Sequence, residues 1–70
     1  MTKIKAHITG TVWRIEVRVG DEVKAGDAVA ILESMKMEMP VEADDGGIVD
    51  EILVEVSQSV TEGQVLMVLR

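Results

Sequence analysis

The sequence has no cysteine, no phenylalanine and no tyrosine, and it has a single histidine, His7, and a single tryptophan, Trp13. Without cysteine the chain can form no disulfide and offers no thiolate to bind a metal or attack a substrate. One histidine without cysteine partners does not make a zinc site. Nor does the sequence offer a Ser/His/Asp set. We therefore expect neither a metal site nor a catalytic centre.

Long apolar runs and an excess of positive charge are also missing. No stretch approaches the roughly 18 apolar residues of a membrane-spanning helix, and the first residues lack the apolar run of a signal peptide. Thirteen acidic residues against seven basic ones give a net charge of −6, which leaves no basic patch to neutralise phosphates. The expectation is a cytoplasmic protein that binds neither a membrane nor nucleic acid.

What the 70 residues do contain is typical of one small β domain. Val and Ile favour strands, and the shortage of aromatic residues leaves a core of aliphatic side chains and Met. Apolar and polar residues alternate, which predicts strands and no helix. The predicted strands cover 2–9, 12–19, 28–32, 37–43, 48–56 and 65–69.

Two positions carry more specific predictions about these strands. Val12 is out of step with the apolar series Ile15, Val17 and Val19, and a β-bulge near Trp13 would reconcile them. Pro40 cannot donate a ladder hydrogen bond. Its strand should therefore lie at a sheet edge, or Pro40 should face away from the neighbouring strand.

The chain also repeats itself with a shift of 37 residues and no gap. Eight of the 24 paired positions between residues 10 and 33 are identical, among them the pairs Gly10/Gly47 and Gly26/Gly63. Neither half can bury its apolar face alone, so the repeat predicts two halves related by a pseudo-two-fold axis around one core. The halves are 1–33 and 38–70, joined by a hairpin at 34–37. A second copy of this hairpin would fall beyond the chain ends.

The joining hairpin centres on Lys36, which Met35 and Met37 flank. A two-residue hairpin turn needs positive φ and usually contains Gly or Asn, and this one has neither. Broken local rules are expected at functional sites. A slightly longer type I turn, which tolerates most residues, is the structural alternative. Two exposed methionines would form an apolar collar around an amine, although most methionines only fill cores.

The segment Glu33–Met37 resembles the attachment motif of biotinyl domains, in which a Met-Lys-Met triplet carries biotin on the lysine. The resemblance covers essentially the whole chain. It extends to the glycine and valine signatures Gly10–Val12, Val19–Asp21, Gly47–Val49 and Glu62–Gly63. It implies an all-β fold, a flattened β-barrel or barrel-sandwich hybrid of two four-stranded antiparallel sheets with internal pseudo-two-fold symmetry.

The same resemblance implies a function and its site. Lys36 would hold covalent biotin between Met35 and Met37, and Glu33, Ser34 and Glu38 would help a biotin protein ligase to recognise the lysine. The domain would have no catalysis of its own. It would carry a carboxyl group from a biotin carboxylase to a carboxyltransferase, with an acyl-CoA as the expected acceptor, as in acetyl-CoA carboxylase.

Two alternatives remain open at this point. Lipoyl domains share the fold but usually have Asp-Lys-Ala at the tip, so the methionines favour the biotinyl branch. The other alternative is an unmodified β domain that serves as an interaction module. Both halves keep equal length between Val19 and Val23 and between Val56 and Val60, so the thumb insertion of some acetyl-CoA carboxylase carriers is absent.

Overall fold

The computed structural model describes all residues from 1 to 70, and it contains eight strands and no helix. The strands are β1 (Thr2–Lys5), β2 (Gly10–Ile15), β3 (Glu22–Val23), β4 (Ala28–Ser34), β5 (Met37–Glu42), β6 (Gly47–Ile52), β7 (Ser59–Val60) and β8 (Val65–Leu69). The chain therefore has no helix that could cross a membrane.

The strands form two four-stranded antiparallel sheets, in the orders β1-β8-β6-β3 and β5-β4-β2-β7. This arrangement confirms the predicted all-β fold. The strand that contains Pro40 lies at the edge of the second sheet, as the missing N–H of proline requires. The two sheets bury one common core between them.

The register of the sheets follows the internal repeat residue by residue. In the β2–β4 pair Val12 lies opposite Leu32, and in the β6–β8 pair Val49 lies opposite Leu69, each 37 positions later. The bulge predicted near Trp13 is confirmed, because the register shifts between Val12 and Arg14. An equivalent shift follows Val49 in β6. The two bulges therefore occupy equivalent positions in the two sheets.

Strands of the two repeats are interleaved rather than segregated. Each sheet contains two strands from the first repeat and two from the second. Consequently the apolar face of either repeat is covered only when the other repeat is in place. Fifteen apolar residues form the buried core, and no polar side chain is buried with them. Aliphatic side chains and Met67 fill it, as the composition predicts.

Three predicted strands are too long, because the backbone stops pairing with the neighbouring strand earlier than the alternation of apolar and polar residues indicates. Strands β1, β2 and β6 end at Lys5, Ile15 and Ile52. Turns follow β2 and β6, and there the backbone hydrogen bonds go to side chains. The amide of Arg18 donates to Asp21 Oδ2 at 2.9 Å. Val19, expected on the buried face, is therefore 62% exposed at a turn.

The chain ends meet where a second lysine hairpin would stand. Thr2 pairs with Leu69, and the pseudo-symmetric pair in the other sheet is Met39 with Leu32, just below the hairpin turn. The fold therefore has two equivalent pairs of strand ends, of which one is connected by the Met35–Lys36 turn and the other, at Thr2 and Leu69, is not connected by a turn.

The symmetry supplies a matched test of backbone strain at one turn. Gly20 has φ +97°, whereas Ser57, its counterpart 37 residues later, holds φ +77° with a side chain. Because a left-handed conformation costs a non-glycine residue about 1–2 kcal/mol, Ser57→Gly should raise the free energy of unfolding by about 1 kcal/mol. Gly20→Ser should lower it by a similar amount. Urea denaturation of both variants measures these changes, and shifts of the same sign would contradict the assignment.

Candidate functional site

The lysine hairpin is a two-residue turn at the end of strands β4 and β5. The last paired residues are Ser34 and Met37, so Met35 and Lys36 alone make the connection. Their φ angles are +53° and +66°. Positive φ at both central residues identifies a type I′ turn, whose twist matches that of the two strands. The alternative of a longer type I turn is wrong.

This turn is strained, because both of its residues carry side chains. A left-handed conformation costs a residue with a Cβ about 1–2 kcal/mol relative to the right-handed region. Elsewhere the chain mostly avoids that cost by using Gly20, Gly26 and Gly63 at its positive φ positions. Residues held in such conformations persist where the surrounding structure forces them, and they are concentrated at functional sites.

The turn presents its side chains to solvent. Met35 is 93% exposed and Met37 is 59% exposed, while Met39, two residues further along β5, is half-buried. Lys36 is exposed and takes part in neither of the two ion pairs of the chain. The amine of Lys36 is thus free of ion-pair and hydrogen-bond partners within the chain, and its neighbours in the sequence on both sides are methionines.

Two carboxylates lie directly below the turn. Glu33 and Glu38 are opposite each other in the β4–β5 register, and both are exposed. Like charges opposite each other destabilise a strand pair, so this juxtaposition does not serve the fold. Half-buried Ser34 occupies the pair between them and the turn, opposite Met37. The structure therefore brings all six predicted site residues together in one hairpin.

Sequence reasoning did not single out the support of this hairpin by strand β2. A methyl group at Gly10 would overlap the carbonyl of Glu33, so only glycine allows β2 to pass so close to the hairpin base. The related Gly47 makes the same close approach to Arg70. The identity of these two glycines in the repeat was the signal for this role.

The grooves of the surface do not include the hairpin. Two shallow grooves run along the edge strands β1 and β5, and Lys5, Glu42 and Asp44 line both of them. No residue from 33 to 38 lines either groove. An exposed amine at a strained, supported turn, outside any groove, can be offered to the active site of another protein.

The biotin/lipoyl family model, described as "Biotin-requiring enzyme", matches residues 2–69. The chain belongs to this family. A biotin/lipoyl attachment protein of Bacillus subtilis is 44% identical to this biotin/lipoyl domain over 66 residues, which are 94% of the chain and 90% of that protein. The family resemblance predicted from the Met-Lys-Met motif is confirmed.

Other relatives contain a similar domain within much longer chains. The biotin-dependent acyl-coenzyme A carboxylase alpha3 subunit of Mycobacterium leprae is 43% identical over 63 residues, covering 90% of this chain and 10% of that subunit. The crystal structure of Kluyveromyces lactis urea carboxylase superposes with a TM-score of 0.92 at 38% identity, covering 99% of this chain and 6% of that one. This biotin/lipoyl domain therefore resembles the carrier domains of carboxylases.

Strain in the turn of this biotin/lipoyl domain can be measured as stability gained on its removal. Lys36→Gly should raise the free energy of unfolding by about 1 kcal/mol, because glycine adopts positive φ without a Cβ clash. Lys24→Gly is the matched control, since Lys24 is exposed beside another turn and does not itself have a positive φ. That substitution should be neutral or should destabilise. Urea denaturation compares the two, and an Lys36→Gly variant less stable than wild type would refute the strain.

Proposed function

We propose that the domain carries biotin on Nζ of Lys36 and serves as a non-catalytic biotin carboxyl carrier. The observation that supports this function is the exposed, strained Met35–Lys36 turn in a chain of the biotin/lipoyl family. A tight turn with glycine would be more stable, so the lysine is kept at this position at a cost to stability.

The residues at the turn fit a covalently attached group. Lys36 has no ion pair to break, and its exposed side chain leaves room for an acyl chain on Nζ. In the attachment step Nζ attacks the carbonyl carbon of an activated biotin adenylate. An amide bond forms, the carbonyl–oxygen bond to AMP breaks, and AMP leaves. We assign removal of the amine proton to the biotin protein ligase, because the two carboxylates of the hairpin, Glu33 and Glu38, are exposed to solvent.

Recognition by the ligase would rest on the side chains around the amine. Met35 and Met37 offer an exposed apolar collar on both sides of Lys36. Glu33 and Glu38 add paired negative charge at the base of the hairpin, and Ser34 lies between that pair and the turn. A rigid, preorganised turn reduces the ordering cost of binding, so the ligase would meet the lysine already in place.

After attachment the domain would move its group between two further enzymes. When bound, biotin accepts a carboxyl group on its ureido nitrogen and delivers it to an acceptor. A biotin carboxylase would load the group and a carboxyltransferase would unload it. The exposed side chain of Lys36 would tether the group to the domain. While the domain is bound, this tether would keep the group at a high local concentration near both active sites. The mycobacterial relative supports an acyl-CoA as the acceptor.

A lipoyl carrier is the second candidate. The name of the B. subtilis relative covers attachment of either group, and the family model does the same. An exposed lysine at a type I′ turn would suit lipoate equally well. The methionines on both sides of Lys36 favour biotin, because the lipoyl domains that the fold resembles usually have Asp and Ala there.

Co-expression with a biotin protein ligase tests the proposal. The wild-type chain should gain the mass of one biotinyl group, and Lys36→Ala should gain none, because Lys36 supplies the acylated nitrogen. Lys24→Ala, which removes another exposed lysine, should be biotinylated as fully as wild type. Intact-mass spectrometry of the three purified chains measures the result.

A parallel expression with a lipoate ligase separates the alternatives. Lipoylation without biotinylation would replace biotin by lipoate in the proposal. A wild-type chain that stays unmodified with both ligases would leave the interaction module as the remaining function.

A further inference from the structure

The outer face of the β5-β4-β2-β7 sheet carries an apolar strip just below the hairpin. The Glu33–Glu38 pair forms the first outward-facing row, and Ile31 with Pro40 forms the next. Trp13 of strand β2 extends this second row, since its neighbour Arg14 pairs with Ile31. We call Trp13, Ile31 and Pro40 the Trp13 strip. Trp13 is 40% exposed, Ile31 is half-buried and Pro40 is exposed.

The β-bulge holds the strip in its outward orientation. Val12 faces the core, and the bulge then places both Trp13 and Arg14 on the outer face. The guanidinium carbon of Arg14 lies 5.6 Å from the centre of the Trp13 ring, at cation–π distance. Nε of Arg14 also contacts Glu16 Oε1 at 3.3 Å. Arg14 is thus partly neutralised and holds the indole ring in place.

The internal symmetry shows that the fold does not require an apolar side chain at two of the three strip positions, whereas Ile31 has an apolar counterpart, Val68. The positions equivalent to Trp13 and Pro40, 37 residues later and earlier, are Asp50 and Lys3. Asp50 lies in the equivalent bulge and forms an ion pair with Arg70. At the positions of Trp13 and Pro40 the same backbone therefore accepts charged residues on one face and carries apolar ones on the face below Lys36.

We propose that the Trp13 strip is a docking surface for the enzyme that acylates Lys36. This inference rests on the proposed function of that lysine. The partner surface would place an apolar side chain against the Trp13 ring. It would also place basic side chains opposite Glu33 and Glu38, since these carboxylates adjoin the strip and the whole chain carries a charge of −6.

The short distance between the Trp13 strip and the lysine turn favours the acylating enzyme as the partner that binds the strip. Pro40 is three residues along β5 from Met37, the first residue after the turn, so the strip lies about 10 Å from the end of the turn at the rise of an extended strand. A standard interface of about 800 Å² per partner spans more than that distance. An enzyme that closes on the bare lysine must cover the region around the turn. Enzymes that act on an attached group can reach it through the arm and need not touch the strip.

Steady-state acylation kinetics with a biotin protein ligase test the proposal. Trp13→Asp and Pro40→Lys install the residues that the fold already accepts at the equivalent positions. Each should raise the KM for the domain about 10- to 30-fold, the effect of losing an interface hot spot. The kcat should stay within about twofold of wild type, because Lys36 and its turn are unchanged. Asp50→Ala, on the opposite face, should leave both constants unchanged.

Binding without reaction provides a second readout. A Lys36→Ala chain should inhibit acylation of the wild-type chain by competition, and Trp13→Asp/Lys36→Ala should inhibit at least about 10-fold more weakly. Thermal unfolding of every variant is measured to check that it is folded. Should Trp13→Asp fail to fold, Pro40→Lys decides the question.

Three outcomes would overturn the inference or the function beneath it. An unchanged KM in folded Trp13→Asp or Pro40→Lys excludes docking of the acylating enzyme. If the wild-type chain sediments as a dimer that Trp13→Asp dissociates, with KM unchanged, the strip binds a second copy instead. Absence of acylation in the wild-type chain itself rejects the proposed function. If only the docking inference is wrong, the wild-type chain is still acylated.

Discussion

The structure depends on the inability of either repeat to cover its own apolar face. Each sheet takes two strands from each repeat, so β1 is completed by β8 and β5 by β4. A chain of this size buries only about 60% of the surface exposed by its unfolded form, which leaves little stability to spare. The interleaved sheets bury fifteen apolar residues without a single polar side chain among them. That shared core is the framework on which the strained turn is tolerated.

The symmetry of the framework is broken where the chemistry is expected. One pair of strand ends is closed by Met35 and Lys36, and the equivalent pair is left open at the termini. Gly10 lets β2 approach the carbonyl of Glu33 closely at the base of the hairpin. The turn holds two side chains at positive φ, a conformation that persists where the surrounding structure imposes it. The Trp13 strip also departs from the symmetry, since the position equivalent to Trp13 in the other repeat is Asp50, which lies in the equivalent bulge.

Much of the fold could be predicted from the sequence because its signals agree with one another. The repeat, the bulge near Trp13 and the edge position of Pro40 each followed from local pattern. The ends of β2 and β6 could not be predicted, because side chains of Asp21 and Gln58 take over backbone hydrogen bonds that alternation assigns to strands. The turn type was also ambiguous, since its residues lack the glycine that normally marks positive φ. The six hairpin residues were identified by their motif, whereas the support from Gly10 depends on a contact between distant segments.

The central claim is that a single lysine at a strained turn carries biotin in the cell. Tandem mass spectrometry of the chain isolated from its own cells, without added ligase, tests this claim most directly. The account predicts a biotinyl group on Lys36 and on neither Lys24 nor the other lysines. A lipoyl group on Lys36, or an unmodified Lys36 in cells grown with ample biotin, would contradict it.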